Sequence, residues 1–163
     1  MDRTKITINL KALLSNLKYA SALAPGKKIM SVIKADGYGH GAFRVAKTLT
    51  ASNSFAVARL EEAEDLRMAG LNSPVCVLEG VSSEQDFLRA RELGLQLILH
   101  SWYQITLYKK YGPDVPIWLK IDSGMGRLGF AIHQCLEVLK SANGLNLIGI
   151  VSHLSHADDV SSN

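Results

Sequence analysis

The sequence predicts an α/β protein: a (β/α) TIM-type barrel, here incomplete, with about six β/α repeats. Three observations carry this expectation. Short apolar runs recur at 29–33, 55–58, 75–78, 95–99, 116–121 and 145–151, and unbroken runs of this kind mark strands of a parallel sheet covered on both faces. Helical patterns with terminal signals lie between them. Polar residues stand at or just beyond the ends of the runs: Lys34, Arg59, Glu79, His100, Lys120 with Asp122, and His153. A barrel gathers chemistry at many strand ends, whereas an open sheet concentrates it at one switch point. The distribution favours the barrel.

The elements follow in chain order. Leu10, Leu13, Leu14 and Leu17 fall at i, i+3, i+4 and i+7, with Asn9 available as N-cap and Pro25-Gly26 as the stop, so the first helix is amphipathic. Ser83 with Asp86, and Ser101 with Gln104, stand at capping spacing, and Gly70, Gly94, Gly112 and Gly144 follow helical patterns as C′ glycines. Arg59, Glu61 and Glu62 read as a solvated helix start whose acids offset the dipole. Trp102, Tyr103, Tyr108 and Tyr111 lie at helical spacing and read as packing.

A chain of 163 residues, 47% hydrophobic and 20% charged, is long enough to bury a core and reads as one globular domain. The net charge of +3 comes from scattered Lys and Arg, which argues against nucleic acid as the partner. Cys76 and Cys135 are too few for a disulfide framework and sit in apolar stretches, as reduced thiols of a cytoplasmic protein would. Polar interruptions at Asn9, Lys11, Asn16 and Lys18 leave no signal-peptide core, and no apolar run is long enough to span a membrane.

Two segments carry the chemistry. In Ser31-Val32-Ile33-Lys34-Ala35-Asp36-Gly37-Tyr38-Gly39-His40-Gly41 a lysine stands where a buried strand meets a glycine-rich turn. A low-dielectric setting there disfavours the ammonium and exposes an amine nucleophile, as in a Schiff-base lysine. An exposed surface charge is the bland alternative. His40, between two glycines, reads either as a catalytic group or as a turn residue near the phosphate end of a ligand. In Trp118-Leu119-Lys120-Ile121-Asp122-Ser123-Gly124-Met125-Gly126-Arg127-Leu128-Gly129-Phe130, Lys120 and Asp122 alternate with apolar neighbours, and Arg127 lies in a glycine-compacted loop. A guanidinium held there suits a carboxylate or an oxyanion. The same segment matches G-x-G-x-x-G, but a dinucleotide site needs that motif in the first β/α turn with an acid about 20 residues on, and the next strand ends in Ser152-His153. The run from Ser152 to Asp159 has two histidines and two acids at no standard zinc spacing; no metal site is expected. His153 reads better as a ring lying against a cofactor, or as an ordered loop histidine.

The Val32–Gly41 run, the Lys120–Gly129 run and Ser152-His153 together resemble alanine racemase, a pyridoxal-phosphate enzyme of the barrel class, over nearly the whole chain. The resemblance implies that Lys34 carries pyridoxal 5'-phosphate as a Schiff base and serves as one catalytic base. It also implies that Tyr38 bonds the phosphate, that Arg127 meets the cofactor's phenolic oxygen and the substrate carboxylate, and that His153 lies against the pyridine ring. Lys120 matches a position often carbamylated, where the added carboxylate would hold Arg127. The implied reaction is interconversion of L- and D-alanine by two-base proton transfer at Cα, supplying D-alanine for peptidoglycan in a bacterial cytoplasm. The opposite-face base would be a tyrosine from a C-terminal β domain of the partner in a homodimer. On this reading residues 1–8 form a strand that pairs with that absent domain, residues 9–163 are a partial barrel, and the chain is a fragment with little or no turnover of its own. A non-enzymatic pyridoxal-phosphate carrier on a similar barrel is the alternative, and a racemase for another small amino acid is a further one.

Overall fold

The structure is a computed structural model that describes residues 4–159. The chain divides into two compact units, Met1–Val75 and Cys76–Asn163. Of the amino-terminal segment 1–8 expected as a strand, residues 1–3 lie outside the described residues, and 4–9 carry no regular element. Residues 160–163 of the expected barrel segment also lie outside them.

In the first unit, helix α1 (Leu10–Leu23) starts where expected, with the Asn9 side chain accepting from the Ala12 amide at 3.1 Å. Strand β1 (Met30–Val32) pairs parallel with β2 (Ser54–Val57), Ser31 opposite Phe55. Between them run a one-turn segment α2 (Lys34–Gly39) and helix α3 (Ala42–Thr48), and α4 (Leu60–Met68) follows β2. Ile33, Val45, Ala46, Phe55, Val57, Ala63 and Leu66 are buried, so the helices close over the sheet with the residues that the apolar periodicity selects.

Strand β3 (Val75–Val77) begins at the last residue of the first unit and continues into the second. There β3 pairs parallel with β4 (Gln96–Leu99), β4 with β5 (Ile117–Asp122), and β5 with both β7 (Leu147–Val151) and the two-residue β6 (Phe130–Ala131). Helices α5 (Glu84–Glu92), α6 (Trp102–Tyr111) and α7 (Cys135–Ser141) connect them. All these pairings are parallel, as unbroken apolar strands with helical crossovers require. Strand β6 was not expected; two residues are too short to show a period.

Ser83 caps α5 by accepting from the Asp86 amide, and Ser101 caps α6 by accepting from the Gln104 amide. Gly70, Gly94 and Gly144 adopt the positive φ of C′ glycines, but Gly112 does not. Its glycine serves space: a Cβ there would lie 2.8 Å from the Phe87 ring. Among the aromatics of α6, Tyr108 is fully buried and Trp102 packs edge-on to Phe130 at 5.2 Å between centroids. Tyr103 departs from the packing expectation: it is exposed and bonds only the Ser82 carbonyl, at 3.2 Å. Among the described residues no helix is long and apolar enough to cross a membrane.

The Tyr108 hydroxyl lies 2.9 Å from the Pro113 carbonyl and 2.8 Å from that of Val115, and accepts from the Asn146 amide at 3.3 Å. It fastens the α6–β5 loop to the start of β7. Tyr108→Phe should lower unfolding stability by roughly 1–3 kcal/mol, the cost of leaving buried partners unsatisfied, with the urea midpoint falling and the slope unchanged; an unmoved midpoint would contradict this role. Burial pushes the Cys76 thiol up to about 12, while Cys135 is only half-buried. A maleimide should therefore label Cys135 in the native protein and reach Cys76 only after denaturation, as peptide mapping would show; equal native labelling would refute the burial of Cys76.

Candidate functional site

Parallel strands bring their carboxyl ends to one edge of a sheet, and in each unit the polar residues anticipated at strand ends sit there. In the first unit, Lys34 follows β1 and Arg59 follows β2. Lys34 is half-buried, and its ammonium has no hydrogen bond or ion pair among the described residues.

The turn after Lys34 is left-handed. Ala35, Asp36, Gly37 and Tyr38 have φ of 51, 51, 64 and 54°. Three of these are not glycine, and left-handed helical backbone costs roughly 1–2 kcal/mol for each such residue. Gly37 is the position where glycine is required: it is buried, and a Cβ would come within 3.3 Å of the Ala42 backbone. The strain is offset by several hydrogen bonds. The Gly37 amide donates to the Ile33 carbonyl at 2.8 Å, the Gly41 amide to the Asp36 carbonyl at 2.8 Å, and the Ala42 amide to Asp36 Oδ1 at 2.7 Å. His40 Nδ1 lies 2.9 and 3.0 Å from the Gly37 and Tyr38 carbonyls, both acceptors, so that nitrogen carries the proton and His40 is a turn residue. Tyr38 is 60% exposed, and its hydroxyl has no partner among the described residues.

Glu62 corrects the sequence expectation. It was expected to be a solvated acid at a helix start, yet its carboxylate accepts from the Ala35 amide at 2.5 Å and from the Ala58 and Arg59 amides at 2.7 and 3.0 Å. The first of these bonds joins residues 27 apart in sequence, which no capping pattern announces.

In the second unit, Lys120 is buried on β5 opposite Val151 of β7, and Asp122 and His153 each lie two residues beyond that pair. The Asp122 carboxylate accepts from the Gly124 and Gly126 amides at 3.0 to 3.1 Å. Those bonds hold its pKa below the ordinary carboxylate value, with Lys120 adding to the effect. They also curl the loop that carries Arg127, which is exposed and makes no hydrogen bond or ion pair among the described residues. Ser152 Oγ lies 2.8 Å from the Ile121 carbonyl and 2.6 Å from Ser123 Oγ, fastening the end of β7 to the end of β5 just before the exposed His153. Gln104, legible in the sequence only as the capping partner of Ser101, is buried; it accepts from the His100 amide and donates to the Glu79 carbonyl, both at 2.9 Å. His100 Nε2 also reaches the Glu79 carbonyl, at 3.0 Å. Glu79 and His100 therefore serve the scaffold of this edge.

The side chains left over are an amine, a phenol, a guanidinium and an imidazole. Taken unit by unit, the amine and phenol of the first unit fit the aldehyde and an oxygen of pyridoxal phosphate, and the guanidinium and imidazole of the second fit a further oxygen and the face of its ring. No group of His, Cys, Asp and Glu able to hold a metal occurs among the described residues.

Comparisons with known proteins place this geometry in a family. A family model described as "Alanine racemase, N-terminal domain" matches residues 8–163. An alanine racemase of Coxiella burnetii is 40% identical over 98% of this chain and 45% of its own length. One of Nitrosococcus oceani is 40% identical over 98% of this chain and 46% of its own. The solved alanine racemase of Acinetobacter baumannii superposes with a TM-score of 0.86 at 34% identity, covering 93% of this chain and 47% of that one. That of Pseudomonas aeruginosa gives 0.80 at 35% identity, covering 91% and 43%. This chain thus spans about half the length of the relatives it matches, and its fold is part of a (β/α) barrel. By that match over residues 8–163 and by the superposition, the chain belongs to the alanine racemase family, as a stretch of its N-terminal barrel domain.

Proposed function

We propose that this chain supplies the lysine-bearing part of a pyridoxal-phosphate-dependent racemase that interconverts L- and D-alanine. The observation that carries the reading is Lys34, held at the end of β1 by an ordered left-handed turn while its amine is left without a partner. When bound, pyridoxal phosphate supplies an electron sink that makes the substrate Cα–H acidic. Lys34 Nζ would hold the cofactor at its aldehyde and, as a free amine, would take the proton from one face of the substrate Cα or return it. The Tyr38 hydroxyl donates to a phosphate oxygen. Arg127 would meet the phenolic oxygen and the substrate carboxylate, and its fork of donors suits a carboxylate better than a lysine would. His153 gives a flat face for the ring. Lys120, if carbamylated, gains a carboxylate able to hold Arg127.

The second base belongs to a tyrosine of a C-terminal β domain on the partner of a homodimer, and the barrel segment without that domain turns over little or no alanine. Residues 1–8 pair with that domain. D-alanine for peptidoglycan in the bacterial cytoplasm is the product's destination.

In the full-length protein, Lys34→Ala should abolish both racemisation and the borohydride-trapped cofactor on the Lys34 peptide. A trapped cofactor that persists elsewhere with turnover intact would remove Lys34 from the role and return the carrier reading. Arg127→Ala should raise the KM for alanine tenfold or more, on the order expected for losing a charged hydrogen-bonding partner; an unchanged KM would sink the assignment. The Asp122 pKa is lowered in the folded state, so the loop stays organised at and above the ordinary carboxylate range and loosens as pH falls through the lowered value. Amide shifts of Gly124 and Gly126 followed by NMR should move only on the acid side of that range. Movement between neutral pH and that range would contradict the sign.

A further inference from the structure

We propose that Glu62 is the positioning residue for the Lys34 amine, holding the left-handed turn from a separate helix. The inference rests on the reading of Lys34 as the cofactor lysine and deepens it.

The backbone on either side of Lys34 is fixed by two hydrogen bonds. The Ile33 amide donates to the Ala56 carbonyl of β2 at 2.8 Å, and the Ala35 amide donates to Glu62 Oε1 at 2.5 Å. The first is ordinary sheet pairing. The second is needed because Ala35 opens the left-handed turn, with φ 51°, and the first amides of a helical turn have no acceptor within it. Glu62 supplies that acceptor. Its other oxygen, Oε2, accepts from the Ala58 and Arg59 amides at the start of α4, which fixes where the carboxylate stands. One carboxylate thus ties the end of β2, the first turn of α4 and the residue after Lys34 into a single joint. The lysine side chain leaves the backbone inside that joint, and its direction follows from the joint's geometry.

The chemistry of the joint demands a carboxylate. Three backbone amides converge on it, and each is a donor that cannot turn to become an acceptor. A carboxylate has acceptors on both oxygens. Glutamine has the same shape but one acceptor and one donor group, so it satisfies one arm and sets its N–H₂ against the donor of the other. The arm with two amides takes the glutamine oxygen, and the Ala35 amide is left facing a donor. Glu61, the neighbouring acid in the first turn of α4, is exposed and offers a control of equal charge change.

The test uses the full-length protein with Glu62→Gln, Glu62→Asp and Glu61→Gln. Amide exchange at Ala35 is read without cofactor, and the rate at which Lys34 is trapped by pyridoxal phosphate and borohydride is read by peptide mapping against a surface lysine. Glu62→Gln should speed Ala35 exchange and slow Lys34 trapping by about tenfold or more, the scale for losing a bond to a charged acceptor, while exchange within α4 is kept. Glu62→Asp retains the charge but falls short of Ala35 and should show the same pattern, and Glu61→Gln should change neither. Trapping at Lys34 as fast as in the parent would overturn the proposal. So would slowing that matches the surface lysine or the unfolded fraction, since a purely structural acid would act that way. Failure of the parent to trap cofactor at Lys34 would overturn the functional reading, and Ala35 exchange would still decide whether Glu62 holds the turn.

Discussion

The hydrogen bond between Glu62 and the Ala35 amide is the constraint on which the lysine end of this fold depends. A strand of L-residues does not turn left-handed for a whole turn unless outside groups impose it, and here they do so from both directions. Strand β2 and helix α4 supply acceptors for Ile33 and Ala35, while the Asp36 side chain and carbonyl collect the amides of Ala42 and Gly41. Each bond is individually modest. Together they make the geometry after β1 a property of several elements, so the amine of Lys34 is aimed by the fold rather than by its own local sequence.

The second unit uses the same device with different residues. The Asp122 carboxylate gathers the Gly124 and Gly126 amides into the loop that carries Arg127. Ser152 ties the last residue before His153 to the end of β5. Gln104 spans from the residue after β4 to Glu79, joining two loops at the same sheet edge. In each case a short polar side chain satisfies backbone groups that the loops would otherwise leave unpaired, as a sheet edge carrying irregular backbone requires.

Much of the architecture was legible before the coordinates. The six short apolar runs are strands because unbroken apolar segments bounded by helical patterns have few other homes, and Asn9, Ser83 and Ser101 cap helices because their side chains act locally. What escaped the sequence acts at a distance. Glu62 looks like any acid in a first turn until β1 is brought beside α4, and Gln104 looks like half of a capping box until its amide is found on Glu79. The positive φ of Ala35 and Asp36 is invisible for the same reason: Ala35 is held by Glu62, 27 residues away, and Asp36 by the Ala42 amide, six residues away. Gly112 was placed correctly but for a different reason, since steric crowding by Phe87 cannot be told from a C′ turn by composition.

The polar residues at the strand ends fall into two groups by how their side chains are used. Asp36, His40, Glu62, Gln104, Asp122 and Ser152 spend their hydrogen-bonding capacity on neighbouring backbone. Lys34, Tyr38, Arg127 and His153 keep theirs, each next to a member of the first group or in a loop that one of them curls. On the proposed function, a side chain that binds and releases a ligand would not also anchor the scaffold, and precision would come from residues that never touch the ligand. The scaffold group is legible only in part: Asp122 and His40 stand out in the sequence beside their glycines, whereas the long-range bonds of Glu62 and Gln104 are identified only by what the fold brings to them.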